Sequence, residues 1–156
     1  FLCLIKNDEV DSYKDVLGGL IKNLDKTNSD FGRELKGRCR ALYEAYINRD
    51  AEMAFALIDD VINKSPTPIY ALQDKFDICE RLHELTEMEK VINEIESLSM
   101  GDSYGKERAL FRVKMLYAAY RKDSREVGRL KQELDNKNIK MSMDILERKI
   151  DRIMNS

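Results

Sequence analysis

The chain has 156 residues, of which 43% are hydrophobic and 36% are charged, and it contains only two prolines. This length suits a single domain, and this composition excludes a disordered or collagen-like chain. No apolar run reaches the roughly 20 residues that a membrane-spanning helix requires, so the sequence predicts no membrane partner. Because the chain opens on an apolar stretch at residues 1–5 instead of a methionine, we interpret it as part of a longer protein.

The formal net charge of −2 is distributed unevenly along the chain. Residues 1–104 carry 13 Lys and Arg against 21 Asp and Glu, whereas residues 105–156 carry 14 against 8. This polarity could steer a charged partner or favour head-to-tail self-association. The alternative is that solvent-exposed helix faces differ in charge without functional consequence, and the sequence leaves both interpretations open.

The three cysteines, Cys3, Cys39 and Cys79, lie far apart and each stands in an apolar stretch. An odd number without paired spacing does not form a disulfide framework, so we predict buried free thiols and a reducing, cytoplasmic location. A reactive thiol is the alternative, and it is conceivable only at Cys39, which stands between Arg38 and Arg40.

Helical periodicity dominates the chain. Apolar residues recur at i, i+3 and i+4, and no segment shows the sustained alternation of a strand, so the sequence predicts an all-α protein. Polar stretches and a Pro-Thr-Pro segment separate the helices. Within a single domain over 1–156, the predicted elements in chain order are the end of one repeat at 1–25, helix pairs at 33–66, 69–98 and 107–135, and a C-terminal helix at 139–154.

Four short polar residues mark where the second helix of each pair begins: Asp8, Asp50, Thr86 and Asp123. Their side-chain oxygens can accept hydrogen bonds from first-turn amides, so we predict all four as N-caps. They are 42, 36 and 37 residues apart, and Leu-Tyr-Glu-Ala-Tyr at 42–46 recurs as Leu-Tyr-Ala-Ala-Tyr at 116–120. Because one helical hairpin cannot bury its apolar stripe alone, this spacing predicts about three and a half stacked hairpins.

The predicted hairpin at 35–66 combines large and small residues with a closing proline, namely Leu42, Ala45, Tyr46, Ala51, Ala54 and Pro66. This pattern resembles a tetratricopeptide (TPR) repeat, a helical hairpin with large and small residues at fixed positions and a closing proline. The third pair matches in part, through Leu116, Ala119, Tyr120 and Gly128, and the middle pair departs from the pattern.

This resemblance implies an α-α superhelix, a solenoid of antiparallel helix pairs, whose first helices line a concave groove for a peptide or a partner helix. The groove candidates, taken from outward-facing positions of those helices, are Arg40, Glu44, Gln73, Asp77, Lys114 and Arg121. Because they mix both signs of charge, they do not form the basic clamp with which chaperone-binding TPR domains hold a C-terminal carboxylate.

The sequence offers little for catalysis or metal binding. His83 is the only histidine, and residues 101–106 miss the spacing of a phosphate-binding loop by one residue between the glycines. We therefore predict no catalytic residues, no metal and no cofactor. The basic residues of the C-terminal third are interspersed with acidic ones, which argues against nucleic-acid binding through this segment.

The C-terminal helix carries a heptad-like seam formed by Ile139, Met143, Leu146, Ile150 and Ile153. Such a seam is typical of a helix that packs along another helix. One interpretation is a helix that caps the last repeat, as a solenoid requires. The other interpretation is self-association of the protein through this helix.

These patterns together predict a non-catalytic scaffold domain that binds a protein or a peptide within a larger cytoplasmic protein. The alternative is the ligand-sensing or oligomerisation half of a bacterial peptide-responsive transcriptional regulator or of a signalling ATPase. An enzyme subunit is a third class, and it has the least support in the sequence.

Overall fold

The computed structural model describes residues 10–99 and 103–156, with side chains over 14–99 and 105–156. Its helices are α1 (Val10–Leu24), α2 (Asp30–Tyr43), which continues into a π-helical turn (Glu44–Asn48), α3 (Ala51–Lys64), α4 (Ile69–Leu82), α5 (Leu85–Ser97), α6 (Ser103–Tyr120), α7 (Ser124–Asn136) and α8 (Met143–Asn155). Because these ranges contain no strand, the predicted all-α class is confirmed. The helix end predicted at residues 1–5, the Asp8 cap and Cys3 lie outside the described residues.

The helices fall into two compact units, unit 1 ending at Glu84 and unit 2 beginning at Leu85. Unit 1 contains α1 to α4, and unit 2 contains α5 to α8. The helix pair predicted at 69–98 therefore contributes its first helix to unit 1 and its second helix to unit 2. Within the described ranges, no helix is both long and apolar enough to cross a bilayer.

In unit 1, α2 is the central helix. It packs against α1 and α3, α3 packs against α4, and α2 also lies directly against α4. Leu17 of α1, Ile58 of α3 and Ile78 of α4 share one buried core with Cys39 and Leu42 of α2. The apolar stripes of the four helices thus cover one another, as the helical periodicity of the sequence requires.

A glycine allows α2 to approach α3 closely. A methyl group on the Cα of Gly37 would lie 2.5 Å from Cγ2 of Val61, far inside van der Waals contact. Val61 is buried, and a β-branched side chain strongly prefers one rotamer in a helix, so it cannot readily turn away. Gly37 therefore sets the spacing between the two helices.

In the part of the chain that the structure describes, four helix ends reverse the chain through a residue in the left-handed conformation; these residues are Arg49, His83, Lys122 and Asn138. In three of these turns the next amide donates to the carbonyl five residues earlier, as in a Schellman motif. After Arg49, however, the amide of Asp50 donates to the carbonyl of Glu44, six residues earlier, at 3.0 Å. The π-helical turn accounts for the extra residue, because it widens the helix by one residue before the same type of ending.

The predicted caps Asp50 and Asp123 are confirmed. The Asp50 side chain accepts a hydrogen bond from the Met53 amide at 3.0 Å, and Asp123 accepts one from the Glu126 amide at 3.0 Å. Each therefore satisfies an otherwise unpaired amide in the first turn of the second helix.

The cap predicted at Thr86 is wrong. Helix α5 begins at Leu85, which places Thr86 inside the first turn. The reason is the short connection, since His83 ends α4 and only Glu84 separates it from α5. A cap residue after Glu84 would need a longer turn than the chain provides.

In unit 2, α6 packs against α5, α7 and α8. Helix α8 begins at Met143, a few residues later than predicted, and Ile139, Leu146 and Ile150 of the predicted seam are buried. Ile145 lies outside the seam and is 63% exposed. Packing of α8 against α6 is the arrangement that the capping interpretation requires.

Candidate binding faces on the first helices

The predicted groove residues are divided between the two units. Arg40, Glu44, Gln73 and Asp77 belong to unit 1, and Lys114 and Arg121 belong to unit 2. Each group is therefore described within its own unit.

In unit 1, an arginine joins α2 to α4. Nε of Arg38 lies 2.5 Å from a carboxylate oxygen of Asp74, and the two side chains are only 12% and 4% exposed. The same guanidinium lies over the ring of Tyr70, 5.8 Å from its centroid. A buried pair of this kind fixes relative position, because either charge without the other would be costly inside the protein.

A second arginine joins the end of the same helix to α4. The guanidinium of Arg81 lies over the ring of Tyr46, 5.3 Å from its centroid, and donates a hydrogen bond to the Tyr46 carbonyl oxygen at 3.3 Å. Nearer the start of α2, the Ser65 hydroxyl donates to the Glu34 carboxylate at 2.9 Å. The two arginine contacts hold the first helices of two successive predicted pairs side by side, and the Ser65–Glu34 hydrogen bond joins α2 to the end of α3.

Arg40 is the most accessible of the four predicted residues in unit 1. Its side chain is exposed, and it forms no ion pair with any residue over 14–99 or 105–156. Glu44 is half-buried, and its carboxylate accepts a hydrogen bond from the side-chain amide of Asn48 at 2.7 Å. Gln73 is half-buried and donates to the carbonyl of Ile69 at 3.4 Å. Arg40 therefore has a free charge for a ligand, whereas Glu44 and Gln73 already have local partners.

Asp77 does not face outward, contrary to its selection from the sequence. It is 1% exposed, and every residue from 74 to 80 is buried. Two charged groups of this stretch of α4 are paired, Asp74 with Arg38 and Lys75 with Asp59, the latter at 2.8 Å. A ligand on the surface of unit 1 cannot reach Asp77, so the remaining candidates there are Arg40, Glu44 and Gln73.

In unit 2, Lys114 and Arg121 lie along one face of α6. Lys114 forms an ion pair with Glu96 of α5, with side chains 35% and 44% exposed. Arg121 is exposed, and its guanidinium lies over the ring of Tyr117, 5.6 Å from the centroid. Tyr117, which the sequence indicates only as a core residue, is half-buried and belongs to this face as well.

No protein family, characterised protein or solved structure matches the chain. The geometry of the two units therefore carries the functional argument.

The cysteine environments disfavour a nucleophilic thiol. Cys39 and Cys79 are fully buried, as predicted, and neither is part of a disulfide. Burial raises the pKa of the Cys39 thiol to about 11, and the neighbouring charge of Arg38 offsets only part of that rise. Because the thiolate is the reactive form and Cys39 is fully buried, the structure disfavours the reactive alternative at Cys39.

Two remaining sites of possible chemistry have structural roles. His83 is exposed and occupies the left-handed position that ends α4. Lys106, which follows the segment compared with a phosphate loop, donates to the carbonyl oxygens of Glu96 at 2.6 Å and Leu98 at 2.7 Å. It thereby satisfies the negative, carbonyl end of α5. Among the described residues, no group of three His, Cys, Asp or Glu side chains is placed to hold a metal ion.

Proposed function

We propose that this chain is a non-catalytic, protein- or peptide-binding scaffold domain whose ligands bind to the first helices of its helix pairs. The observation that carries the proposal is the packing order of unit 1. Helix α2 packs against α3, α3 against α4, and α2 also against α4. A stack of helical hairpins needs this arrangement, in which each first helix lies beside the next.

Side-by-side first helices support binding because they hold the accessible side chains of Arg40, Glu44 and Gln73 on a rigid base. The Arg38–Asp74 pair and the contact of Arg81 with Tyr46 fix α2 against α4 from within. A ligand therefore meets side chains whose backbone positions are already set, which lowers the entropic cost of binding. Arg40 then offers an unpaired charge to that ligand.

The cellular setting belongs to the same proposal. Two buried cysteines that are not part of a disulfide fit a reducing compartment, and we therefore propose a cytoplasmic location for the domain. As in the TPR-like domains that the sequence resembles, it serves as one part of a larger protein.

The test begins with selection of peptides of about a dozen residues from a random phage-displayed library against the whole chain. We expect a family of related peptides that bind in the micromolar range. Arg40→Glu should lower the affinity of peptides that bind unit 1 by about fivefold or more without changing the melting temperature of the protein. Lys14→Glu, which makes the same charge change on an exposed position of α1, is the control.

Charge reversal at Lys114 is a poorer test, because a glutamate there would face Glu96 and repel it. If selection yields no peptide that binds the folded chain, the proposed function is wrong. If peptides bind but every one is indifferent to Arg40→Glu, the α2–α4 surface is not a binding face.

A further inference from the structure

One face of α6 combines positive charge with an aromatic ring. Leu110, Lys114, Tyr117 and Arg121 follow each other at i, i+4, i+7 and i+11, and the Arg121 amide continues the helical pattern by donating to the Tyr117 carbonyl at 3.1 Å. Arg121 is exposed, and the other three side chains are partly accessible. We call these four residues the α6 strip.

Arg121 is held in place while its donors stay available. Its guanidinium lies over the ring of Tyr117 at 5.6 Å, and it forms no ion pair with any carboxylate of the described residues. A guanidinium that stacks on a ring through its face still donates through its edge, where two N–H groups match the two oxygens of a carboxylate. Because stacking already orders the Arg121 side chain, less conformational entropy is lost when a carboxylate binds this edge.

Lys114 provides the second cation of the strip. Its partner Glu96 leaves the pair well exposed, at 35% and 44% of the two side chains. Ion pairs this exposed are weak, so an incoming carboxylate can compete with Glu96 for the ammonium group. A second carboxylate, that of Glu126, also interacts with the charge of Lys114, but it is paired with Arg129, so the strip keeps its positive charge.

We propose that the α6 strip binds an acidic peptide segment of a protein partner, an inference that rests on the proposed peptide-binding function. One carboxylate pairs with the edge of Arg121 and a second with Lys114, while the aromatic ring of Tyr117 contacts the chain between them. Seven residues of helix separate the two cations by about 10 Å. A peptide in the polyproline II conformation rises about 3.1 Å per residue and has three residues per turn, so two acidic residues three positions apart face the strip together at about this distance.

The experiment selects random peptides in parallel on the whole chain and on its Arg121→Gln variant. Peptides selected on the unaltered chain should be enriched in Asp or Glu pairs at a spacing of three. Their affinity should fall about tenfold for Arg121→Gln, since a charge-assisted bidentate contact is lost. Lys22→Gln, which removes one charge from an exposed position on α1 in unit 1, outside the strip, should change affinity less than twofold.

Two further variants separate charge from geometry. Tyr117→Leu keeps both cations but removes the stacking surface, and it should weaken binding about threefold. Arg121→Lys keeps the charge but loses the planar donor edge, so it should not restore full affinity.

The outcomes that overturn the inference are distinct from those that overturn the function. Peptides without acidic enrichment, or acidic peptides indifferent to Arg121→Gln, overturn the inference and leave the peptide-binding function standing. If the selection yields no peptide at all, both the inference and the proposed peptide-binding function are wrong. A single-stranded oligonucleotide that binds through Arg121 more tightly than any selected peptide assigns the strip to nucleic acid instead.

Discussion

Substitution of Gly37 by alanine tests the close packing of α2 against α3. The new methyl group would lie 2.5 Å from Cγ2 of Val61, and overpacking of this kind costs about 1–3 kcal/mol. Alanine also favours a helix interior over glycine by about 1 kcal/mol. The net change at Gly37 should therefore be a loss of up to about 2 kcal/mol of unfolding free energy, measured by urea denaturation followed by far-UV circular dichroism.

Gly19→Ala is the matched control, because it lies in α1 of the same unit and a methyl group there meets no atom within 4 Å. It should stabilise unit 1 by about 1 kcal/mol, so the difference between the two variants isolates the contact with Val61. In a Val61→Ala background, Gly37→Ala should become neutral or stabilising, as a double-mutant cycle would reveal. Equal stabilisation by Gly37→Ala and Gly19→Ala would refute the helix spacing described here.

Three further predictions follow from individual contacts. Burial raises the pKa of Cys39 from 9.0 to about 11, so the thiol of the unfolded chain loses its proton first, and the unfolding free energy should fall as pH rises from 9 to 11. Cys39→Ala should flatten that fall, and an identical pH dependence in both proteins would contradict the burial of this thiol. Asp74→Asn should lower the unfolding free energy by about 3 kcal/mol, because it leaves the buried charge of Arg38 without its partner. The double variant Arg38→Met with Asp74→Leu should recover much of that loss, as measured by urea denaturation. Lys106→Met should speed hydrogen exchange in the last turn of α5 and reduce stability by about 1 kcal/mol, whereas unchanged exchange there would argue against its capping role.

The helices were predictable because their signals are local. Apolar spacing within each helix identifies its buried face, and caps such as Asp50 and Asp123 act on amides only three residues away. The one cap that failed, Thr86, lies where two helices meet across a very short turn. Whether Thr86 caps α5 depends on where α4 ends, and the apolar spacing around Thr86 does not show where that is.

The binding faces were only partly predictable, since they depend on contacts between distant residues. Arg38 and Asp74 are 36 residues apart, and nothing in either local sequence indicates that they meet. Asp77 stands at a position that the periodicity of its helix indicates as outward-facing, yet it is buried by neighbours that this periodicity does not reveal. Tyr117 fits an apolar stripe and also supports Arg121, a double role that spacing alone cannot distinguish.

The central claim is that ligands bind to the first helices of the helix pairs. The most direct measurement is the change in backbone amide chemical shifts when a selected peptide is added to the isotope-labelled chain. We predict that the largest changes fall on α2 and α4, or on α6, including the amides of Arg40 or Arg121. Changes confined to α3 and α7, with the first helices unaffected, would contradict it.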